Sequence, residues 1–183
     1  MRTSSLRVIA GSHRGRPLAA PVGDTTRPTA DRTREALFSM LTSRLGSFDG
    51  IAVADLFAGS GALGIEALSR RAGSCMFVEQ DRCALDALRA NLRTLGLAGD
   101  VRAGSVLALG PAAQSLDLIL MDPPYRTGAG AVALDRLARL GWTGPATWIA
   151  IETAKDEAVT IAGFTAEVER VHGKARLTLL RAG

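Results

Sequence analysis

From residue 51 onward the chain alternates between two hydrophobic rhythms. Short apolar runs read as strands: IAVADLF (51–57), CMFVE (75–79), LDLILM (116–121) and TWIAIE (147–152), with a shorter one near Val101. Helical spacing fills the gaps between them. One helix is expected over 62–71. A second follows Asp81, with Leu85, Leu88, Leu92 and Leu95 on one stripe and Gly96 as its stop. A third lies near 130–140, carries Leu134, Leu137 and Leu140, and is followed by Gly141. Apolar strands separated by helices predict a parallel sheet covered by helices on both faces. The tail changes rhythm. FTAEVERV (164–171) and ARLTLL (175–180) alternate at period two around His172, Gly173 and Lys174, the pattern of an antiparallel hairpin.

Upstream, a helix is expected from Thr29 as N-cap to about Leu45, closed by Gly46. At 100° per residue Leu37, Phe38, Leu41 and Leu45 share one face. Arg34 falls on that same face, whereas Arg32 and Glu35 do not. An unpaired charge on an apolar face is costly. Arg34 is therefore expected to face a cleft, paired with a ligand carboxylate or a core acid. Residues 1–28 carry Gly11, Gly15, Pro17, Pro21, Gly23 and Pro28 around the short apolar stretches Leu6–Ala10 and Pro17–Ala20. They read as a small β-hairpin and loop (1–28) ahead of a main domain (29–183).

The chain has 183 residues, the size of one domain with one sizeable core. No apolar run approaches the roughly 18 residues a membrane span needs. No secretory h-region follows the first charges, so a cytoplasmic protein is expected. Cys75 and Cys83 match no zinc or redox spacing and read as reduced thiols; no metal is expected. Of the net +4, residues 1–44 contribute eight arginines against three acids, a local +5 that leaves −1 for the rest. A GC-rich coding bias accounts for arginine over lysine, but not for the clustering. A basic end is what phosphate contact requires, and Arg7, Arg14 and Arg16 on the hairpin are its candidates.

Two motifs carry chemistry. The first, DLFAGSGALG (55–64), has GxGxxG spacing at a strand-to-helix turn. Glycines there let a ligand approach the backbone, and the third allows close helix–strand packing. Glu79 ends the next strand 24 residues after Asp55 and is suited to both hydroxyls of a ribose. This motif alone leaves a nicotinamide cofactor and S-adenosyl-L-methionine both open.

The second motif, Asp122-Pro123-Pro124-Tyr125, ends the fourth strand and should open on the same crevice. An exocyclic amino group on a base is a poor nucleophile, because its lone pair is delocalised into the ring. The Asp122 carboxylate and a backbone carbonyl, most naturally that of Pro123, can accept its two N–H bonds and favour a pyramidal nitrogen. Two prolines hold the acceptors rigid. Tyr125 offers a face for stacking. A dehydrogenase would leave this tetrapeptide without a role.

With this pair of motifs the chain resembles the class I amino-methyltransferases. RVIAGSHRGRPL (7–18), RPTADRTREALF (27–38) and DLFAGSGALGIEALSR (55–70) narrow the resemblance to the RsmD family. It implies an α/β, Rossmann-like sheet of seven mostly parallel strands, the last hairpin supplying the antiparallel one. It also implies methylation of the exocyclic N2 of a guanine in 16S ribosomal RNA of the small ribosomal subunit or its assembly intermediate. The implied cofactor is S-adenosyl-L-methionine. Gly59 and Gly61 would approach that cofactor, Glu79 its ribose, and Asp122, Pro123 and Tyr125 the base. Asp55, Ala58 and Gln80 flank these positions, and Arg34 joins them on its facing. Related enzymes often carry an Asp after the third strand. Here Gly104-Ser105-Val106 stands there, so Ser105 or a backbone amide must meet the adenine. Two other functions compete. A DNA amino-methyltransferase would need a recognition insertion, for which no stretch is free. A non-catalytic rRNA-binding assembly factor is disfavoured by intact Glu79 and Asp122. A monomer is expected.

Overall fold

The computed structural model describes residues 6–21 and 28–182, apart from the side chains of Pro28 and Thr29. Arg2, Gly23, Asp24 and Arg27, which entered the charge and motif readings, lie outside that range. The elements are α1 (Pro28–Leu45), β1 (Ala52–Leu56), α2 (Ala62–Ser69), β2 (Ser74–Glu79), α3 (Arg82–Leu95) and β3 (Asp100–Ala103). These are followed by β4 (Leu118–Met121), α4 (Ala129–Arg139), β5 (Trp148–Ala154), β6 (Phe164–His172) and β7 (Ala175–Ala182). A single 3₁₀ turn, Val106–Ala108, follows β3 and was not expected from the pattern.

The seven strands form one sheet in the order β3-β2-β1-β4-β5-β7-β6. Neighbours from β3 to β5 pair in parallel, and β7 runs antiparallel to both β5 and β6. The tail is the hairpin its period-two pattern predicts, with Gly173 in the left-handed conformation at the turn.

Alternation along the strands divides the core in two. Val53, Cys75, Phe77, Leu118 and Leu120 pack with α1, α2 and α3. Their neighbours Ala54, Leu56, Met76, Val78, Ile119 and Met121 pack with α4 and the 3₁₀ turn. Both faces are therefore covered, which is why these strands read as continuous apolar runs. Helix α1 buries Arg34, Leu37, Phe38 and Leu41 and exposes Arg32 and Glu35, as its periodicity requires. It begins at Pro28, so Thr29 stands in the first turn and is not the cap. Proline suits that first turn because its missing N–H has no partner there to lose. Helix α3 is capped by the Asp81 side chain on the Ala84 N–H at 2.8 Å and ends at left-handed Gly96.

The N-terminal hairpin is small, with a single antiparallel bridge between Arg7 and Pro17. Its Leu6, Val8 and Leu18 belong to the same core as α1 and β1. Fully buried Glu66 accepts the N–H groups of Ile9 and Ala10 at 2.8 and 3.0 Å and pairs with Arg70 at 2.9 Å. Ser69 accepts the His13 N–H, and the His13 ring meets the Leu95 carbonyl at 3.1 Å. His13 thus fastens the hairpin to α3.

Candidate active site

Five consecutive parallel strands deliver polar groups to one edge of the sheet. The glycine loop follows β1, Glu79 ends β2, Ser105 follows β3, Asp122 follows β4 and Glu152 lies near the end of β5. The connections diverge between β1 and β4, so a crevice opens there, as expected of a doubly wound sheet.

Two clefts occupy this edge. The smaller, about 370 Å³, lies between Phe57, the end of β2 (Val78, Glu79, Gln80), the turn Gly104–Val106, and Asp122 to Tyr125. The larger, about 670 Å³, is walled by Ser60, Ala62 and Leu63 of the glycine loop and α2, by Thr33 and Arg34 of α1, and by the β6–β7 turn with His172 and Lys174. Asp122 and Tyr125 line both. The DPPY segment is therefore a wall shared by two neighbouring chambers.

The glycine loop is built as its spacing predicts, with one reassignment. Gly59 has φ 56°, and an added Cβ would meet nothing within 4 Å, so the loop has open space at that position. Gly64 lets α2 approach the sheet, because a Cβ there would stand 2.3 Å from Phe77. Gly61 was expected to leave room for a ligand. Its Cβ would instead point inward, 2.3 Å from Leu88, so Gly61 serves packing and the left-handed turn into α2 (φ 81°). Phe57 adopts the same left-handed region at φ 61° without being glycine. Backbone of that kind costs on the order of 1–3 kcal/mol and clusters at functional sites.

Asp55 lies beneath the loop, 1% exposed, and lines neither cleft. Its Oδ2 accepts the Gly64 N–H at 2.8 Å, and its Oδ1 has no partner among the described residues. Burial holds the carboxyl well above its ordinary range; the Gly64 N–H opposes this, and the charges of Asp122 and Glu79 reinforce it. Asp55 thus braces the glycine loop from beneath. Ala58 is buried and donates its N–H to Val78 at 3.1 Å, fixing the loop to β2. Glu79 accepts the N–H groups of Gly59, Gln80 and Asp81 at 2.7–2.8 Å, tying the loop to the end of β2. Ser105 caps the 3₁₀ turn through the Leu107 N–H at 3.2 Å and faces the smaller cleft.

Arg34 is 5% exposed and does meet an acid: its guanidinium pairs with Asp31 at 3.1 Å and donates to the Arg7 carbonyl. Burial lowers its pKa, while Asp31 and Glu66 pull it back up. Its Nε is buried without a partner among the described residues. Asn91 links two regions, accepting the Ala19 N–H at 2.7 Å and donating to the Ala19 and Ser60 carbonyls.

On the shared wall, the Thr127 hydroxyl donates to the Pro124 carbonyl at 2.7 Å. Left-handed Arg126 is tied to Asp156 at 2.8 Å and to Glu157. Tyr125 is 39% exposed and donates its hydroxyl to Glu152. Burial, then that bond, raises the phenol's pKa. Arg7, Arg14 and Arg16 are exposed on the hairpin and line neither cleft, although Leu6 beside Arg7, Ala20 and Pro21 line the larger one; Arg16 donates to the Thr94 carbonyl at 3.3 Å. Glu152 and the apolar walls Phe57, Val78 and Val106 were not anticipated. The strand-end rule that selected Asp122 would have selected Glu152 too.

The donor set fits an adenosine cofactor: a carboxylate at the end of β2, a glycine with open space beside it, and apolar side chains about a narrow slot. Comparison with known proteins gives the family. The family model described as conserved hypothetical protein 95 matches residues 6–181. Ribosomal RNA small subunit methyltransferase D of Escherichia coli is 33% identical over 181 residues, covering 97% of this chain and 90% of that one. The chain belongs to the RsmD family of methyltransferases. A second RsmD relative, methyltransferase D of Haemophilus influenzae, is 35% identical over 158 residues, 83% of this chain and 80% of its own. The solved structure of yhhF from Escherichia coli superimposes with a TM-score of 0.84 at 33% identity, covering 97% of this chain and 98% of that one. The fold is the class I, Rossmann-like methyltransferase fold, whose enzymes use S-adenosyl-L-methionine. None of the described helices is long and apolar enough to cross a membrane. No cluster of potential metal ligands occurs among the described residues.

Proposed function

We propose that this RsmD-family enzyme transfers a methyl group from S-adenosyl-L-methionine to the exocyclic N2 amino group of a guanine in 16S ribosomal RNA. The observation that carries the reading is the position of Asp122 and Tyr125 on both clefts, so that a cofactor on one side and a base on the other meet at a single wall. The names of the Escherichia coli and Haemophilus influenzae relatives support ribosomal RNA of the small subunit as the substrate.

S-adenosyl-L-methionine supplies, when bound, a methyl group on a cationic sulfur that passes to a nucleophile directly. The chain's own residues do the rest. Glu79 holds the ribose hydroxyls, and Gly59 admits the ligand to the backbone. Ser105 and Gln80 meet the adenine. Arg34 lines the larger cleft and would meet the amino-acid carboxylate where the cofactor's tail extends past the glycine loop into that cleft, while Asp55, Ala58 and Gly61 keep the loop in shape. Asp122 and the Pro123 carbonyl accept the two N2–H bonds and turn the nitrogen lone pair toward the donor, and the Tyr125 ring stacks on the base. The Pro124 carbonyl is engaged by Thr127, which supports Pro123 as the second acceptor. The methylated amine is strongly acidic, so Asp122 or water suffices to take its proton. Arg7, Arg14 and Arg16 bind RNA phosphates away from the chemistry.

Asp122→Ala tests this division. Loss of an acceptor at the reacting nitrogen should lower the single-turnover rate at saturating cofactor by about 10²–10³. A rate within a few-fold of wild type would remove Asp122 from the reaction.

A further inference from the structure

Glu152 stands on the wall of the larger cleft beside Asp122 and Tyr125. Its Oε1 accepts the Tyr125 hydroxyl, and its Oε2 has no hydrogen-bond partner among the described residues. The side chain is half-buried. Burial raises the carboxyl's pKa, and the tyrosine bond works against that by favouring the charged form. Tyr125 thus holds one oxygen of a carboxylate on the wall of the larger cleft, and no described residue engages the other. The methyl-transfer chemistry assigned to Asp122 and Pro123 has no use for this second acid.

The bases that offer an amino group differ at the adjoining ring nitrogen. In guanine that nitrogen, N1, carries a hydrogen, so N1–H and N2–H are neighbouring donors. In adenine and cytosine the ring nitrogen beside the amino group presents a lone pair. A carboxylate attracts the first arrangement and repels the second. We infer that Glu152, oriented by Tyr125, is the specificity-determining residue for guanine: its Oε2 accepts N1–H while Asp122 faces the N2 amino group. This rests on the function proposed above and adds what makes that site reject the other amino-bearing bases. Glu152 acts on recognition, and Tyr125 both stacks on the base and positions the carboxylate.

The test compares guanine with 2-aminopurine at the methylated position of the RNA. Both bases carry a 2-amino group, but N1 of 2-aminopurine is an acceptor. Wild type should prefer guanine in kcat/KM by about 10- to 150-fold, the worth of one hydrogen bond to a charged group. Glu152→Gln presents an amide that can donate to an acceptor N1, so its preference should fall to a few-fold or reverse. The missing O6 of 2-aminopurine affects both enzymes alike and cancels between the two preferences. Tyr125→Phe keeps the ring but frees the carboxylate, and should narrow the preference without reversing it. If Glu152→Gln proves inactive on both bases, Tyr125→Phe decides. Wild-type preference retained in the active variants would overturn the assignment. Failure of wild type to form N2-methylguanosine at all would instead overturn the reading of the site on which it rests.

Discussion

Asp55 is a buried carboxyl group under the glycine loop with one backbone donor and the acids Asp122 and Glu79 nearby. Its native pKa is raised well above 3.8. Between those two values the native state binds more protons than the unfolded chain, so stability falls as pH rises. The contribution is whole below about pH 3.8 and is lost as pH climbs through the native value. Asn at this position cannot titrate. The melting temperature of wild type relative to Asp55→Asn should therefore be highest in acid and decline as pH rises. Parallel curves from about pH 4 to pH 8 would mean that Asp55 titrates alike in both states. At this scale the sequence showed which polar residues line the clefts, because acids at the carboxyl ends of parallel strands have few structural reasons to be there. Glu79 and Asp122 were legible on that ground. Glu152 obeys the same rule but was absorbed into TWIAIE as part of a strand. Phe57, Val78 and Val106 were illegible, since an apolar residue that walls a cleft is indistinguishable in sequence from one that fills a core. The inward aim of Gly61 was hidden too, because spacing gives a glycine's place and not the direction its missing side chain would take.

Among the elements, the N-terminal hairpin carries the three arginines proposed to meet RNA phosphates. Backbone hydrogen bonds to Glu66, Ser69 and Asn91 do most to fasten this segment, and among the described residues the arginine side chains add only the exposed bond of Arg16 to the Thr94 carbonyl at 3.3 Å. Arg7 contributes only its carbonyl to Arg34. The arginines can therefore be replaced without unfastening the element. Substituting Arg7, Arg14 and Arg16 with Ala should weaken RNA binding and flatten its salt dependence by about one slope unit or less per contact. Affinity for S-adenosyl-L-methionine should stay unchanged. Titrations with both ligands at several salt concentrations check this. Variants that lose cofactor binding yet keep the wild-type salt slope would make the hairpin part of the cofactor site. Each long element was legible from its period, since both faces of the sheet are covered and the helices show clear stripes. The 3₁₀ turn at Val106–Ala108 was not, because three residues cannot show a period.

For the molecule as a whole, sheet order determines function. Reversal of the connections between β1 and β4 sets the glycine loop beside the DPPY segment, although 67 residues separate Asp55 from Asp122. The antiparallel β7 brings the His172–Lys174 turn back over the same edge, where it closes the larger cleft. Neither convergence is local, and sequence gave it only through the strand-end rule and the resemblance of ordered motifs. The central claim is that this assembly methylates N2 of a guanine in the small-subunit RNA. Mass spectrometry of nucleosides from 16S ribosomal RNA, taken from cells with and without the gene, tests it most directly. One N2-methylguanosine should vanish when the gene is removed and return with the wild-type gene, but not with Asp122→Ala. An N2-methylguanosine content indifferent to the gene would contradict the account.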